Sequence, residues 1–136
     1  MAVEPSEFDA EPVVQYWLTE AAEALHVADH LVEKGDYSYA LFFGHLAVEK
    51  VLKALYVQRL REHAPPVHNL LRLANAAGVE PDGWQTEAFI TITAFNIEAR
   101  YPDLNRAFRD KCTPGFTAHQ MATIKEMFTW LRSLVL

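Results

Sequence analysis

Three short polar stretches carry the residue types that handle anions and protons. The first is Glu49-Lys50-x-x-Lys53. Glu49 and Lys53 stand four apart, in the order that favours an ion pair on a helix. With an anion nearby, Lys50 and Lys53 can bind it, one helical turn apart. The second is Pro66-Val67-His68-Asn69-Leu70-Leu71. His68 opens a short helix, where it can cap locally, meet an anion beside free backbone N–H groups, or act as an acid or base near neutral pH. The third is Ala99-Arg100-Tyr101-Pro102-Asp103. Pro102 forces Tyr101 out of the helical region, so Arg100 ends a helix. There its guanidinium can bond the last free carbonyls or grip a phosphate by two contacts. The Tyr101 ring can stack on a base and its hydroxyl can bond a phosphate, while Asp103 orients Arg100. The expectation is one anion-accepting face lined by Lys50, Lys53, His68, Arg100 and Tyr101, with Glu49 and Asp103 in support.

The other chemistry-bearing residues point to less. His26 and His30 are four apart with Glu23 on the same side, a spacing that can hold a metal. No third strong ligand is placed by the sequence, so a plain helix face is the reading. His45 and Glu49, also four apart, read as a buried hydrogen bond. Cys112 is the one cysteine, which excludes an intrachain disulfide and a zinc–thiolate cluster. There is no glycine-rich phosphate loop and no serine or cysteine nucleophile with a recognisable partner. No metal and no cofactor is expected.

The elements that must position these residues are helices. Asp36 to Glu62 contains no proline and repeats apolar or small residues at Tyr37, Leu41, Gly44, Val48, Val51 and Leu55, with Phe42, Phe43 and Leu46 widening the stripe. That is the pattern of a long helix laid on a core. Small residues at Ala40, Gly44 and Ala47 allow a second helix to come close. A first helix is expected from Pro12, a residue suited to the first helical position, to about Lys34. Gly35 ends it, and the short link makes the first two helices antiparallel neighbours. The second helix stops near His63, before Pro65-Pro66. A short helix follows over His68–Ala77 and a fourth over Trp84–Ala99. Arg100–Phe116, with Pro102, Pro114 and Gly115, reads as irregular, and Thr117 as the cap of a last helix to about Leu134. The fold class is all-α: an antiparallel up-and-down bundle of four main helices plus a short one. Residues 1–10 read as a flexible tail and 11–136 as a single domain.

Composition bounds the function. The chain has 136 residues, 51% hydrophobic and 22% charged, enough for one domain with a core. No apolar run approaches the roughly 18 residues that span a membrane, and the acidic N-terminus lacks a signal-peptide core; a cytoplasmic protein is expected. The net charge of −6 is uneven. Residues 1–49 hold ten acids and one base, whereas residues 50–111 hold nine bases and seven acids. An acidic protein is a poor general binder of nucleic acid, but its basic half can form a local anion site.

Taken together, A-x-x-x-x-x-x-A-V-E-K-V-L-K-A-L from Ala40, then P-x-x-H-x-L-x-x-L from Pro65, then A-R-Y-P-D from Ala99, resemble the HEPN family of prokaryotic helical proteins. The resemblance spans from about Trp17 to the C-terminus. It implies a helical bundle, commonly dimeric, and pairing with a small nucleotidyltransferase, often as a toxin–antitoxin system. Nucleotide binding is the family's proposed role, and many branches are metal-independent ribonucleases. Those branches use an arginine, four to six residues, then a histidine. Arg100 looks equivalent to that arginine, but the positions that follow are Asn105, Arg106 and Ala107. Arg61 and His68 have the right separation but straddle Pro65-Pro66. The expectation is therefore a non-catalytic nucleotide- or RNA-binding module that dimerises. The alternatives are a ribonuclease using His68 with Arg61 or Arg100, and a structural scaffold or antitoxin.

Overall fold

The computed structural model describes residues 8–136, apart from the side chains of residues 102 and 103. The chain is all-α, with six helices and no strand among the described residues: α1 (Ala10–Glu33), α2 (Tyr37–Leu60), α3 (Leu70–Ala76), α4 (Gly83–Arg100), α5 (Pro102–Lys111) and α6 (Pro114–Leu134). None of the helices is long and apolar enough to cross a membrane. Of the tail expected over residues 1–10, residues 1–7 lie outside the described part. Phe8 packs edge-on against His63, ring centroids 4.6 Å apart, and Ala10 already belongs to α1.

The α1–α2 link is as tight as its glycine suggests. Gly35 sits at φ +80. Its N–H bonds to Val32 O (3.0 Å), and that of Asp36 to Leu31 O (2.8 Å). This paired bonding satisfies carbonyls that a helix end otherwise leaves free. The two helices then run antiparallel for their whole length: Lys50 meets Glu20, Lys53 meets Trp17 and His63 meets Phe8.

α2 is the centre of the molecule and touches all five other helices. Fourteen of its 24 residues are buried, far more than the one stripe of a surface helix. The first turn of α6 begins beside its start and α6 runs parallel to it. Ile124 of α6 packs on Gly44, where an added Cβ would lie 2.6 Å from Ile124 Cδ1. Further along, Gln58 and Leu136 exchange hydrogen bonds of 2.9 and 3.2 Å. Leu70 and Leu73 of α3, Phe89, Ile92 and Phe95 of α4, Phe108 of α5, and Ile124, Met127 and Leu131 of α6 complete the core.

Three boundaries differ from the sequence expectation. α3 starts at Leu70 behind its cap Asn69, so His68 precedes the helix rather than opening it. Arg100–Phe116 is largely helical: α5 occupies Pro102–Lys111. Pro102 does not break the chain there, because at the first helical position its missing N–H costs nothing. Few residues anchor α5 inward. Phe108 stacks on Phe95 at 5.6 Å, and Cys112 is buried just beyond its end, so the helix carries few apolar residues among many charged ones. The last helix begins earlier than Thr117. Thr113 caps it by accepting from the Phe116 N–H (3.2 Å), with Pro114 at the first position; Thr117 is buried within the first turn.

Candidate functional site

α2 places His45, Glu49 and Lys53 one turn apart on the same side, and none of them reaches water freely: their exposures are 0%, 3% and 7%. The Glu49 carboxylate is the hub. Oε2 takes the Lys53 ammonium at 3.1 Å, and Oε1 accepts from the Nδ1–H of His68 at 2.8 Å. The Lys53 ammonium also lies over the Trp17 ring, 5.2 Å from its centroid. A buried charge needs a partner of this kind, so Lys53 is engaged twice. His45 does not bond Glu49, which is 3.9 Å away. Its Nε2–H donates to the backbone carbonyl of His68 at 3.0 Å, and its Nδ1 has no partner. A carbonyl only accepts, so His45 is the Nε2–H tautomer. Burial, the largest influence, pushes its pKa below 6.5, against the raising effects of the His68 carbonyl and of Glu49. His68 itself is half-exposed and presents its ring outward. Lys50 reaches α1, 3.7 Å from Glu20.

The second place lies at the other end of α2. Tyr39, Ala99, Arg100, Asn105, Arg106, Arg109 and Asp110 line an open cleft of about 500 Å³. Three guanidinium groups there face one carboxylate. Arg109 donates from Nη2 to the Tyr39 hydroxyl at 2.8 Å and stacks over its ring at 5.2 Å. The Asn105 amide donates to the Ala99 carbonyl (2.8 Å), joining the ends of α4 and α5. Tyr101, beside the cleft, is 59% exposed. Cooperating guanidiniums in a concave site suit a phosphate, which they can grip by two-point bonds. Near the cleft, Cys112 is not a ready nucleophile: burial pushes its thiol up to about 11.

The expected single face is therefore divided between two places. Glu49, Lys53 and His68 come together, with Lys50 alongside, whereas Arg100 lines the cleft at Tyr39. Tyr39 and Glu49 are ten residues apart, about 15 Å along the axis of α2. The side chain of Asp103 lies outside the described part. Arg61 is exposed and closes α2 in the left-handed conformation, φ 58; among the described residues no hydrogen bond joins it to His68. The His26 and His30 rings lie 4.4 Å apart, tilted by 51°, on the surface of α1, and no trio of His, Cys, Asp or Glu among the described residues could hold a metal ion. The sequence reading missed Tyr39, Arg106 and Arg109. Arg106 and Arg109, three apart after a proline that can start a helix, were the available signal.

Comparison with known proteins supports the fold first. A crystal structure of TT1696 from Thermus thermophilus superimposes with a TM-score of 0.76 at 23% identity, covering 88% of this chain and 96% of that one. At that identity the likeness speaks for the fold alone. No curated protein matches the chain. The HEPN domain family matches residues 14–134, the span that holds the α2 cluster, the arginine cleft and the helices that carry them. The chain belongs to the HEPN domain family.

Proposed function

We propose that this HEPN domain is a non-catalytic module that binds a nucleotide or RNA phosphate in the arginine cleft. The observation that carries the reading is the convergence of Arg100, Arg106 and Arg109 with Tyr39 in one concavity. Guanidiniums hold phosphates and tyrosine faces stack on bases. Four residues separate Arg100 from Asn105, whose amide neither gives nor takes a proton at neutral pH, so a bound phosphate is held rather than cut. The domain works in the cytoplasm as a homodimer beside a small nucleotidyltransferase, in a toxin–antitoxin pair. Calorimetric titration with nucleoside triphosphates and short single-stranded RNA tests the binding. Arg100→Ala and Arg106→Ala should each weaken it by roughly 1.5–3 kcal/mol, the range for a hydrogen bond to a charged group. Equal affinity in wild type and both variants would move the site elsewhere. No binding by the wild type would favour the scaffold or antitoxin reading.

One observation favours a second reading, a metal-independent ribonuclease. The imidazole of His68 is held by the buried Glu49 carboxylate (2.8 Å) and half-exposed, the arrangement of a histidine oriented for acid–base work. RNA cleavage in EDTA that disappears in His68→Ala would establish it over the binding reading.

A further inference from the structure

Between the end of α2 at Leu60 and the start of α3 at Leu70 the chain has no helix. It crosses over the buried polar side of α2, where the Tyr56 hydroxyl donates to Glu62 (2.8 Å), His63 meets Phe8, Ala64 and Val67 pack on the core, and His68 makes two further bonds. The carbonyl of His68 accepts from His45 Nε2–H (3.0 Å), and its ring donates to Glu49 (2.8 Å). Beyond that point α3 is anchored separately: Asn69 caps it by accepting from the Arg72 N–H, and the Leu70 N–H donates to Thr93 Oγ1, both at 3.0 Å. The His68 fastening shields polar groups that favour water. It leaves one ring nitrogen, His45 Nδ1, buried with no partner, a costly state for a polar atom. Lifting the strap from α2 returns water to the ring and to Glu49. The closed form is thus set against an open form in part by these polar contacts, and His45 is the member of them that burial keeps neutral.

We propose that the segment 61–69 is an acid-released strap, closed while His45 is neutral and lifted from α2 when His45 takes up a second proton. In the closed form that proton must go to Nδ1, which faces neither an acceptor nor water. The charged and titratable groups that face the ring are Glu49 and Lys53 of α2 and His68 of the strap. Glu49 favours the added proton, and Lys53 and a charged His68 oppose it. Burial exceeds the raising influences, so the closed ring titrates below 6.5; in the lifted form it is in water and titrates at its ordinary value. The open form therefore binds more protons than the closed form between those two values. The closed form's advantage is complete above about pH 6.5 and declines as pH falls, by up to about tenfold in population per pH unit for one proton. The strap is independent of what the arginine cleft binds.

Deuterium uptake by 61–69, corrected for the intrinsic exchange rate, is measured from pH 8 to pH 5 on the whole protein and on His45→Gln. Glutamine keeps a donor for the His68 carbonyl and does not titrate. The wild type should lose protection in this segment by up to about tenfold per pH unit below the midpoint, with α4 and α6 unchanged, and His45→Gln should show no such slope. Wild-type protection that is the same at pH 5 and pH 8 overturns the proposal, as does an equal slope in His45→Gln. Should His45→Gln not fold, the His45 ring proton is followed by NMR in the wild type. Protonation that coincides with loss of protection in 61–69 supports the strap, and protonation with protection intact overturns it.

Discussion

Truncating Glu49 to alanine tests the central claim about α2, that its charged residues form a closed set. The carboxylate is 3% exposed and holds Lys53 at 3.1 Å and His68 at 2.8 Å. Removing it leaves the Lys53 ammonium, 7% exposed, with only the Trp17 ring for company. Breaking one side of a buried pair costs about 3–5 kcal/mol, and a desolvated cation–π contact returns about 2 kcal/mol at most, most of which the wild type already has. The expected loss for Glu49→Ala is therefore about 3 kcal/mol or more, read as a lower urea midpoint at unchanged slope. The double variant Glu49→Ala with Lys53→Met removes both charges and puts an apolar chain over Trp17. It should recover at least about 1 kcal/mol of that loss. A Glu49→Ala protein less than about 1 kcal/mol below wild type would mean that the cluster is solvated, and the reasoning about its closure would fail. So would a double variant less stable than the single one.

Three further outcomes are expected. Gly44→Ala should lower stability by about 1–2 kcal/mol through the 2.6 Å approach to Ile124 Cδ1, the cost of overpacking exceeding the better helix propensity of alanine; adding Ile124→Val removes that atom and should restore most of the loss in a urea melt. Cys112, buried and pushed up to about 11, should react with a thiol reagent at pH 8 far more slowly than a free cysteine, and denaturant should abolish the difference. Ile90, Ala94, Ile97 and Tyr101 repeat at three- and four-residue spacing along α4 and just past its end, and all but the alanine are about half-exposed. Light scattering should accordingly give twice the 15.5 kDa chain mass, and Ile97→Glu should give the single mass; a wild type already at 15.5 kDa rejects the dimer.

The parts of this molecule legible in the sequence are those fixed by local chemistry. The long period of α2, the glycine at 35 and the proline pair at 65 and 66 each act within a turn or two, and α1 and α2 follow from them. The Glu49–Lys53 pair was likewise readable from a four-residue spacing. What was not readable depends on tertiary packing. α5 exists because Phe108 finds Phe95, and without that contact its sequence is polar and led by a proline. With α5 unread, Arg106 and Arg109 had no surface to belong to, and Arg100 was grouped with lysines about 16–21 Å along α2 from Tyr39. The bond from His45 to the His68 carbonyl spans 23 positions, and no side-chain pattern announces a backbone acceptor.

The parallel course of α2 and α6 bears on the order of assembly. α1 and α2 meet across a link of three residues, so their pairing closes a short loop and forms early. α6 reaches its place only after the intervening chain has been laid down, and the Gln58–Leu136 bonds join positions 78 apart. Closing so long a loop carries an entropic penalty that near-neighbour contacts do not meet. The hairpin should therefore carry the high φ-values of the folding transition state, and the seating of Ile124 on Gly44 the low ones. A substitution at Gly44 that disturbs that seating should then appear chiefly as faster unfolding rather than slower folding.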